Sequence, residues 1–226
     1  MNQPKICAVI VDSHPDLTKV EDLVDFFEVR IDLIGAGWQQ VVKDLHKPWL
    51  ATNRLVCDGG KCVTDNQARI DVLLEAASLG ASFIDVELST KNLARVVPAI
   101  KNEAKCLISH HDLRQTSSLS TLKMIVRRQL DAGADVCKLV TTATDSADNL
   151  TVLQLIREFT MSLSNGFPEQ KIVSLAMGPL GLTSRVLAPL AGGYFTYASV
   201  SRGGESAPGQ ITVAELRNVY GTLQND

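Results

Sequence analysis

The sequence predicts a (β/α)8 TIM barrel folded as a single domain, and three observations carry that prediction. Eight short β-rich runs recur along the 226 residues, each followed by a segment whose apolar residues return every three or four positions. That alternation marks βα units built around a parallel sheet. No Pro/Gly/Ser linker or low-complexity tract interrupts the chain, so residues 1–226 are expected to form one catalytic domain. Polar residues also cluster after nearly every run, and no Gly-x-Gly-x-x-Gly turn follows the first one. An open doubly wound sheet would gather them at one crevice. A barrel builds its site from all the strand ends, usually in a chain of about 250 residues.

In chain order the strand runs span residues 5–11, 26–32, 50–54, 83–88, 105–111, 136–142, 171–177 and 194–200. The clearest helices follow the fifth, sixth and eighth runs. The first of these carries Leu119, Leu122, Ile125, Val126 and Leu130 on one face. The next carries Leu150, Leu153, Ile156, Phe159 and Leu163, and the last Val213, Leu216, Val219 and Leu223. Gly80 and Gly133 stand one or two residues before a new strand run, where glycine ends a helix and starts a short return loop.

Composition narrows the partners. A net charge of −3 with scattered Lys and Arg excludes the broad basic patch of a nucleic-acid binder, so a small-molecule substrate is expected. The sequence shows no signal-peptide pattern and no apolar run of about eighteen residues, so a cytoplasmic protein without membrane contact is expected. The five cysteines are an odd number, and Cys7, Cys106 and Cys137 sit in apolar runs as small hydrophobes. Cys57 and Cys62 flank Asp58-Gly59-Gly60-Lys61 without a second Cys or His pair, so no metal site is expected.

Lys138 is the most informative residue. It lies within Asp135-Val136-Cys137-Lys138-Leu139-Val140, with no acid close in sequence on its face. An amine so placed finds a partner across the fold, snorkels from a strand end, or shifts toward its neutral form. The neutral form is nucleophilic toward a ketone or aldehyde and gives a Schiff base. Period-two alternation puts Glu28, Arg30 and Asp32 on one face of the second run, as a binding set or as a buried ion network. The third run leads through Thr52-Asn53-Arg54 to Asp58-Gly59-Gly60, which also reads as a plain turn. The fifth ends Ser109-His110-His111-Asp112, and alternation lets only one of the two histidines face inward. A histidine and a lysine on neighbouring strands bring a proton shuttle beside a Schiff-base amine. After the seventh run, Arg185 near a helix start suits an anion such as a carboxylate or phosphate. After the eighth, Ser206-Ala207-Pro208-Gly209-Gln210 suits a lid, or an ordinary capping loop.

These blocks, with Met177-Gly178 through Ser184-Arg185, resemble type I 3-dehydroquinate dehydratase in order and over nearly the whole chain. The resemblance implies a barrel, often a homodimer, that dehydrates 3-dehydroquinate to 3-dehydroshikimate in the shikimate pathway with no metal or organic cofactor. It implies that Lys138 forms the imine with the substrate ketone and that His111 moves the protons. Asp58, standing where the family usually has glutamate, would orient the histidine. Arg185 would pair with the substrate carboxylate, Glu28, Arg30 and Arg54 would hold ring hydroxyls, and Ser206 and Gln210 would close the lid. Tyr197 stands where phenylalanine is common and Leu175 where methionine is, and the loop before Gln210 is about two residues longer than in the enterobacterial pattern. A class I aldolase or transaldolase also places a Schiff-base lysine in a barrel, but the Arg185 block and Ser-Ala-Pro-Gly-Gln argue against it. The remaining alternative is a barrel that binds a small acid without turnover.

Overall fold

The computed structural model describes residues 3–160 and 170–224. Strands β1 Ile6–Ile10, β2 Phe26–Arg30, β3 Trp49–Thr52, β4 Phe83–Glu87, β5 Lys105–His111, β6 Val136–Thr142, β7 Ile172–Met177 and β8 Thr196–Ser199 form one eight-stranded sheet. Its order is β7-β6-β5-β4-β3-β2-β1-β8, and every paired neighbour is parallel. At the seam between β7 and β8, Tyr194 N–H donates to the Ile172 carbonyl at 2.8 Å. The result is the nearly closed (β/α)8 barrel that the alternating pattern predicts.

The helices are α1 Ile31–Ile34, α2 Trp38–Lys43, α3 Asn66–Ser78, α4 Leu93–Lys101, α5 Leu119–Asp131, α6 Asp148–Thr160, α7 Leu182–Leu187 and α8 Val213–Gln224. The first unit departs from the expected repeat: only a 3-10 turn, Glu21–Leu23, follows β1, while β2 is followed by both α1 and α2. The return loops behave as glycine at the helix end dictates. Gly80 and Gly133 have φ of 95° and 92°. Past them, Ala81 N–H reaches Ala76 O at 3.0 Å and Ala134 N–H reaches Gln129 O at 3.1 Å, closing each helix and aiming the chain into the next strand.

Two helix faces differ from the sequence reading. On α5, Leu122 and Val126 are buried, with Leu119, Ile125 and Leu130 packed beside them. On α6, Ile156 is buried and Leu153 and Phe159 pack against the core as expected, but Leu150 is 69% exposed and the buried residues also include Asn149, Val152 and Leu155. Asn149 explains the offset: its amide donates to Leu180 O at 2.7 Å and its carbonyl accepts from Ser184 N–H at 2.8 Å. A polar side chain with its bonds satisfied takes a core position and turns the helix. On α8, Tyr220 replaces Val219 and Leu223 on the core side, its hydroxyl donating to Val186 O at 2.9 Å. Leu163 lies outside the described residues.

Strand alternation sorts the interior. Ile6, Ala8 and Ile10 of β1, Val29 of β2, Ala51 of β3, and Ile84 and Val86 of β4 belong to the apolar layer that also contains Ile70, Leu73, Val97 and Ile100 of the helices. The rings of Phe26, Phe83, Tyr194 and Phe195 pack with centroids 5.5 to 6.3 Å apart. They come from the first residues of β2 and β4 and the residues just before β8, so they plug the N-terminal end of the barrel. Polar side chains fill the C-terminal end, the usual position of a barrel's site.

Candidate active site

A cavity of about 370 Å³ opens among the strand C-termini and is lined by all nine residues singled out in the sequence: Glu28, Arg30, Arg54, Asp58, His111, Lys138, Arg185, Ser206 and Gln210. Thr52, Leu113, Val140, Met177 and Tyr197 share its wall. Its size suits one small, ring-sized ligand.

Lys138 is buried near the middle of β6, and the first of the options open to such an amine is realised: it finds partners across the fold. Its Nζ lies 3.0 Å from Asp85 Oδ2 on β4 and 3.5 Å from Glu28 Oε1 on β2. It also lies 4.4 Å from the centroid of the Tyr197 ring. The partner Asp85 is shared. Its Oδ2 also meets Arg54 Nη2 at 2.6 Å, and its Oδ1 accepts from Ser109 Oγ at 2.6 Å. Burial pushes the Asp85 carboxyl up, but Arg54 and then Lys138 outweigh it and hold it well below the usual carboxylate range. Arg54 in turn reaches Glu87 Oε1 at 2.8 Å, and Glu87 Oε2 receives Arg69 Nη1 at 2.6 Å from α3. Glu28 is steadied by the Thr52 hydroxyl, which donates to Oε1 at 2.8 Å.

The expected one-sided row Glu28, Arg30, Asp32 is modified at its end. β2 stops at Arg30, and Asp32 lies in α1, whence it folds back to clamp Arg30 through Nε at 2.9 Å and Nη2 at 2.8 Å. Arg54 likewise lies past the last paired residue of β3. Its carbonyl accepts Cys62 N–H at 2.9 Å, so the Asp58-Gly59-Gly60 turn returns onto it. Gly60 is required there: a Cβ would meet the Arg54 carbonyl oxygen at 2.1 Å.

Of the two histidines, His111 is the one that lines the cavity. In the β5–β6 register Ser109 stands opposite Lys138 and His111 opposite Val140, one pleat nearer the mouth. Burial, joined by the cations of Arg54 and Lys138, pushes the imidazole well below its ordinary value of 6.5, which leaves it neutral and able to take a proton. The link expected from Asp58 is not formed. Asp58 stands on the cavity wall, but the contact to its carboxylate comes from Cys57 Sγ at 3.3 Å, and His111 Nδ1 is buried without a partner.

Arg185 comes from α7, after the 3-10 turn Pro179–Gly181 that follows β7. Its Nη2 donates to Pro208 O at 3.2 Å, its Nε is buried without a partner, and among the described residues no carboxylate pairs with it. Burial pulls its pKa down to about 10. The loop after β8 is docked over the cavity: Gly178 N–H donates to Pro208 O at 3.2 Å, and Gln210 Oε1 accepts Ser206 N–H at 2.9 Å. Gly209, with φ 76°, fits only because it lacks a Cβ, which would lie 2.4 Å from Gly178 O.

Sequence reasoning missed Asp85 and Glu87. The signal was present in Phe83-Ile84-Asp85-Val86-Glu87, where two acids alternate on one strand face just as Glu28 and Arg30 do. Ser109 and Thr52 were visible only as neighbours of better candidates.

Comparison with known proteins fits this arrangement. The family model described as Type I 3-dehydroquinase matches residues 6–226. This chain belongs to the type I 3-dehydroquinase family. It is 39% identical over 221 residues to a 3-dehydroquinate dehydratase of Dehalococcoides mccartyi, covering 97% of this chain and 96% of that one. The solved type I 3-dehydroquinate dehydratase of Clostridium difficile, carrying covalent modified comenic acid, is 25% identical. It superimposes with a TM-score of 0.83 over 100% of this chain and 94% of its own. The 3-dehydroquinate dehydratase of Geobacillus kaustophilus, 26% identical, gives 0.83 over 99% and 92%.

The low pKa of His111 sets a stability prediction. The unfolded chain protonates this histidine near pH 6.5, whereas the folded protein does so only at lower pH. Between those values the unfolded state binds more protons, so stability falls as pH falls. His111→Gln removes that contribution and is expected to lose less stability between pH 7 and pH 5 than the parent, read from urea midpoints. An equal loss in both proteins would contradict the neutral, buried assignment.

Proposed function

We propose that this chain eliminates water from 3-dehydroquinate to give 3-dehydroshikimate, a step of the shikimate pathway, through an imine on Lys138. The observation that carries the proposal is the division of charge around the cavity. A buried amine paired with two acids and a neutral His111 stand on one side, and a buried arginine with no acid on the other. Family membership and the relatives' names supply the substrate.

In this reading Arg185 takes the substrate carboxylate, and Arg30, Arg54 and Glu28 bind the ring hydroxyls. Ser206 and Gln210 close over them. Lys138, having passed a proton to His111, attacks the ketone carbon. The carbinolamine loses water to give the imine, which acts as an electron sink. His111 takes the proton from the adjacent carbon, and the enamine electrons expel the β-hydroxyl, which leaves as water with that proton. Hydrolysis of the imine frees Lys138 and the conjugated enone. The proton bookkeeping closes on one histidine, and Asp58 contributes charge near the mouth rather than a direct bond to it. No observation favours carbon–carbon cleavage, and simple binding of the acid leaves the buried amine without a task.

Incubation with 3-dehydroquinate is expected to raise the absorbance of the conjugated enone, and borohydride with substrate is expected to leave an adduct on Lys138. His111→Ala is expected to lower kcat by roughly two to four decades, the usual share of general acid–base catalysis, and His110→Ala to have a mild effect. An adduct mapped to another lysine, or equal losses at the two histidines, would contradict the assignment.

We also read the protein as a cytoplasmic homodimer. Among the described residues no helix is long and apolar enough to cross a membrane, and Met124 of α5 and Leu150 of α6 are exposed on helices that pack together. Sedimentation as a monomer at micromolar concentration would remove the dimer, and recovery in the membrane pellet the location.

A further inference from the structure

Tyr197 is a residue that the mechanism above leaves unused. It lies on β8 opposite Cys7, lines the cavity and is buried. The Phe195 ring fixes it from below, with centroids 5.2 Å apart at 76°. Its face lies 4.4 Å from Lys138 Nζ, a cation–π contact that adds to the contacts of the amine with Asp85 and Glu28. A phenylalanine would make that contact equally well, so the hydroxyl needs its own explanation. It is buried and has no hydrogen-bond partner, an arrangement that disfavours the fold. Burial, reinforced by the charge of Glu28, pushes the phenol well above 10, so the group stays protonated and is available as a donor. His111 Nδ1 and Arg185 Nε, on two other walls of the same cavity, are also buried without partners. Three residues that line one cavity thus each carry a buried polar atom without a partner, which suits a site for a polar ligand.

We propose that Tyr197 is a further substrate-contacting residue, whose hydroxyl donates a hydrogen bond to the oxygen on the carbon that Lys138 attacks. The proposal rests on the imine reading above and adds a residue to it. Tyr197 lines the cavity with its ring beside Nζ, so ligand atoms next to the new C–N bond lie beside that ring, whose hydroxyl is an unpaired donor. As Nζ forms that bond, the carbonyl π electrons move to oxygen, and the phenolic O–H stabilises the growing charge without giving up its proton. The oxygen then takes one proton from the attacking nitrogen and a second from the His111 imidazolium and leaves as water as the nitrogen lone pair forms C=N, returning His111 to its neutral form. Tyr197 ends the step unchanged.

Tyr197→Phe keeps the ring and its contact with Lys138 while removing the donor. Rapid-quench borohydride trapping with 3-dehydroquinate is expected to slow by about 3- to 10-fold, the value of one neutral hydrogen bond. The melting temperature is expected to stay level or rise, because an unpartnered buried hydroxyl has been removed. Trapping at the parental rate would overturn the proposal. So would a slower rate accompanied by a lower melting temperature, which would assign the hydroxyl a bond within the fold. Absence of any Lys138 adduct in the parent protein would overturn the imine reading itself. A parental adduct with an unaffected Tyr197→Phe would remove only the role given to Tyr197.

Discussion

The structure depends on burying a lysine, two arginines and three carboxylates at one end of a barrel. Isolated, each charge would cost several kcal/mol to remove from water. Here Lys138, Arg54 and Arg69 are balanced by Glu28, Asp85 and Glu87, joined through contacts of 2.6 to 3.5 Å. The cluster spans β2, β4 and β6 and the segment after β3, with α3 outside, so the barrel must close correctly before the charges are paired. Arg30 and Asp32 form a separate pair beside it. The cation left over is Arg185, and it faces the same cavity. A monoanionic ligand completes the balance, which is why a charge argument and the carboxylate of the proposed substrate lead to the same residue.

The neutral His111 follows from the same arrangement. Deep burial and two cations nearby keep the proton off the ring, so it is neutral at neutral pH. The loop after β8 adds a steric condition. Gly209 and Gly178 touch through backbone alone, and the Pro208 carbonyl occupies both Gly178 N–H and Arg185 Nη2. The loop and Arg185 are thereby joined through one carbonyl, so a carboxylate bound at Arg185, as proposed, is expected to act on the loop as well.

Much of this was legible in the sequence, because strand alternation is a local property. The eight runs and the burial of Cys7, Cys106 and Cys137 follow from the local apolar pattern, and alternation lets only one of His110 and His111 face inward, with the family resemblance selecting His111. The nine proposed site residues meet at one cavity because a barrel collects strand ends. What escaped depended on distances across the fold. Lys138 has no acid near it in sequence on its own strand face, and its partner Asp85 lies 53 positions away, inside a run that also reads as plain core. Among the described residues of α6 and α8 only Leu150, Val219 and Leu223 depart from the expected faces, because Asn149 and Tyr220 fill core positions with their polar atoms satisfied, which hydrophobic spacing cannot register. The role of Asp58 toward His111 came from the family resemblance and not from strand alternation.

Asp85 lies nearer to the Lys138 amine than Glu28 does and is itself fixed by Arg54 and Ser109, so in the imine reading it is the acid that positions the amine. The direct test compares borohydride trapping of 3-dehydroquinate on Lys138 in Asp85→Asn and Glu28→Gln, with circular dichroism to establish that both are folded. Misplacing a reacting group by about 1 Å costs on the order of a hundredfold in rate. A loss of that order is expected in Asp85→Asn and a clearly smaller one in Glu28→Gln. Trapping at the parental rate in folded Asp85→Asn would contradict the account.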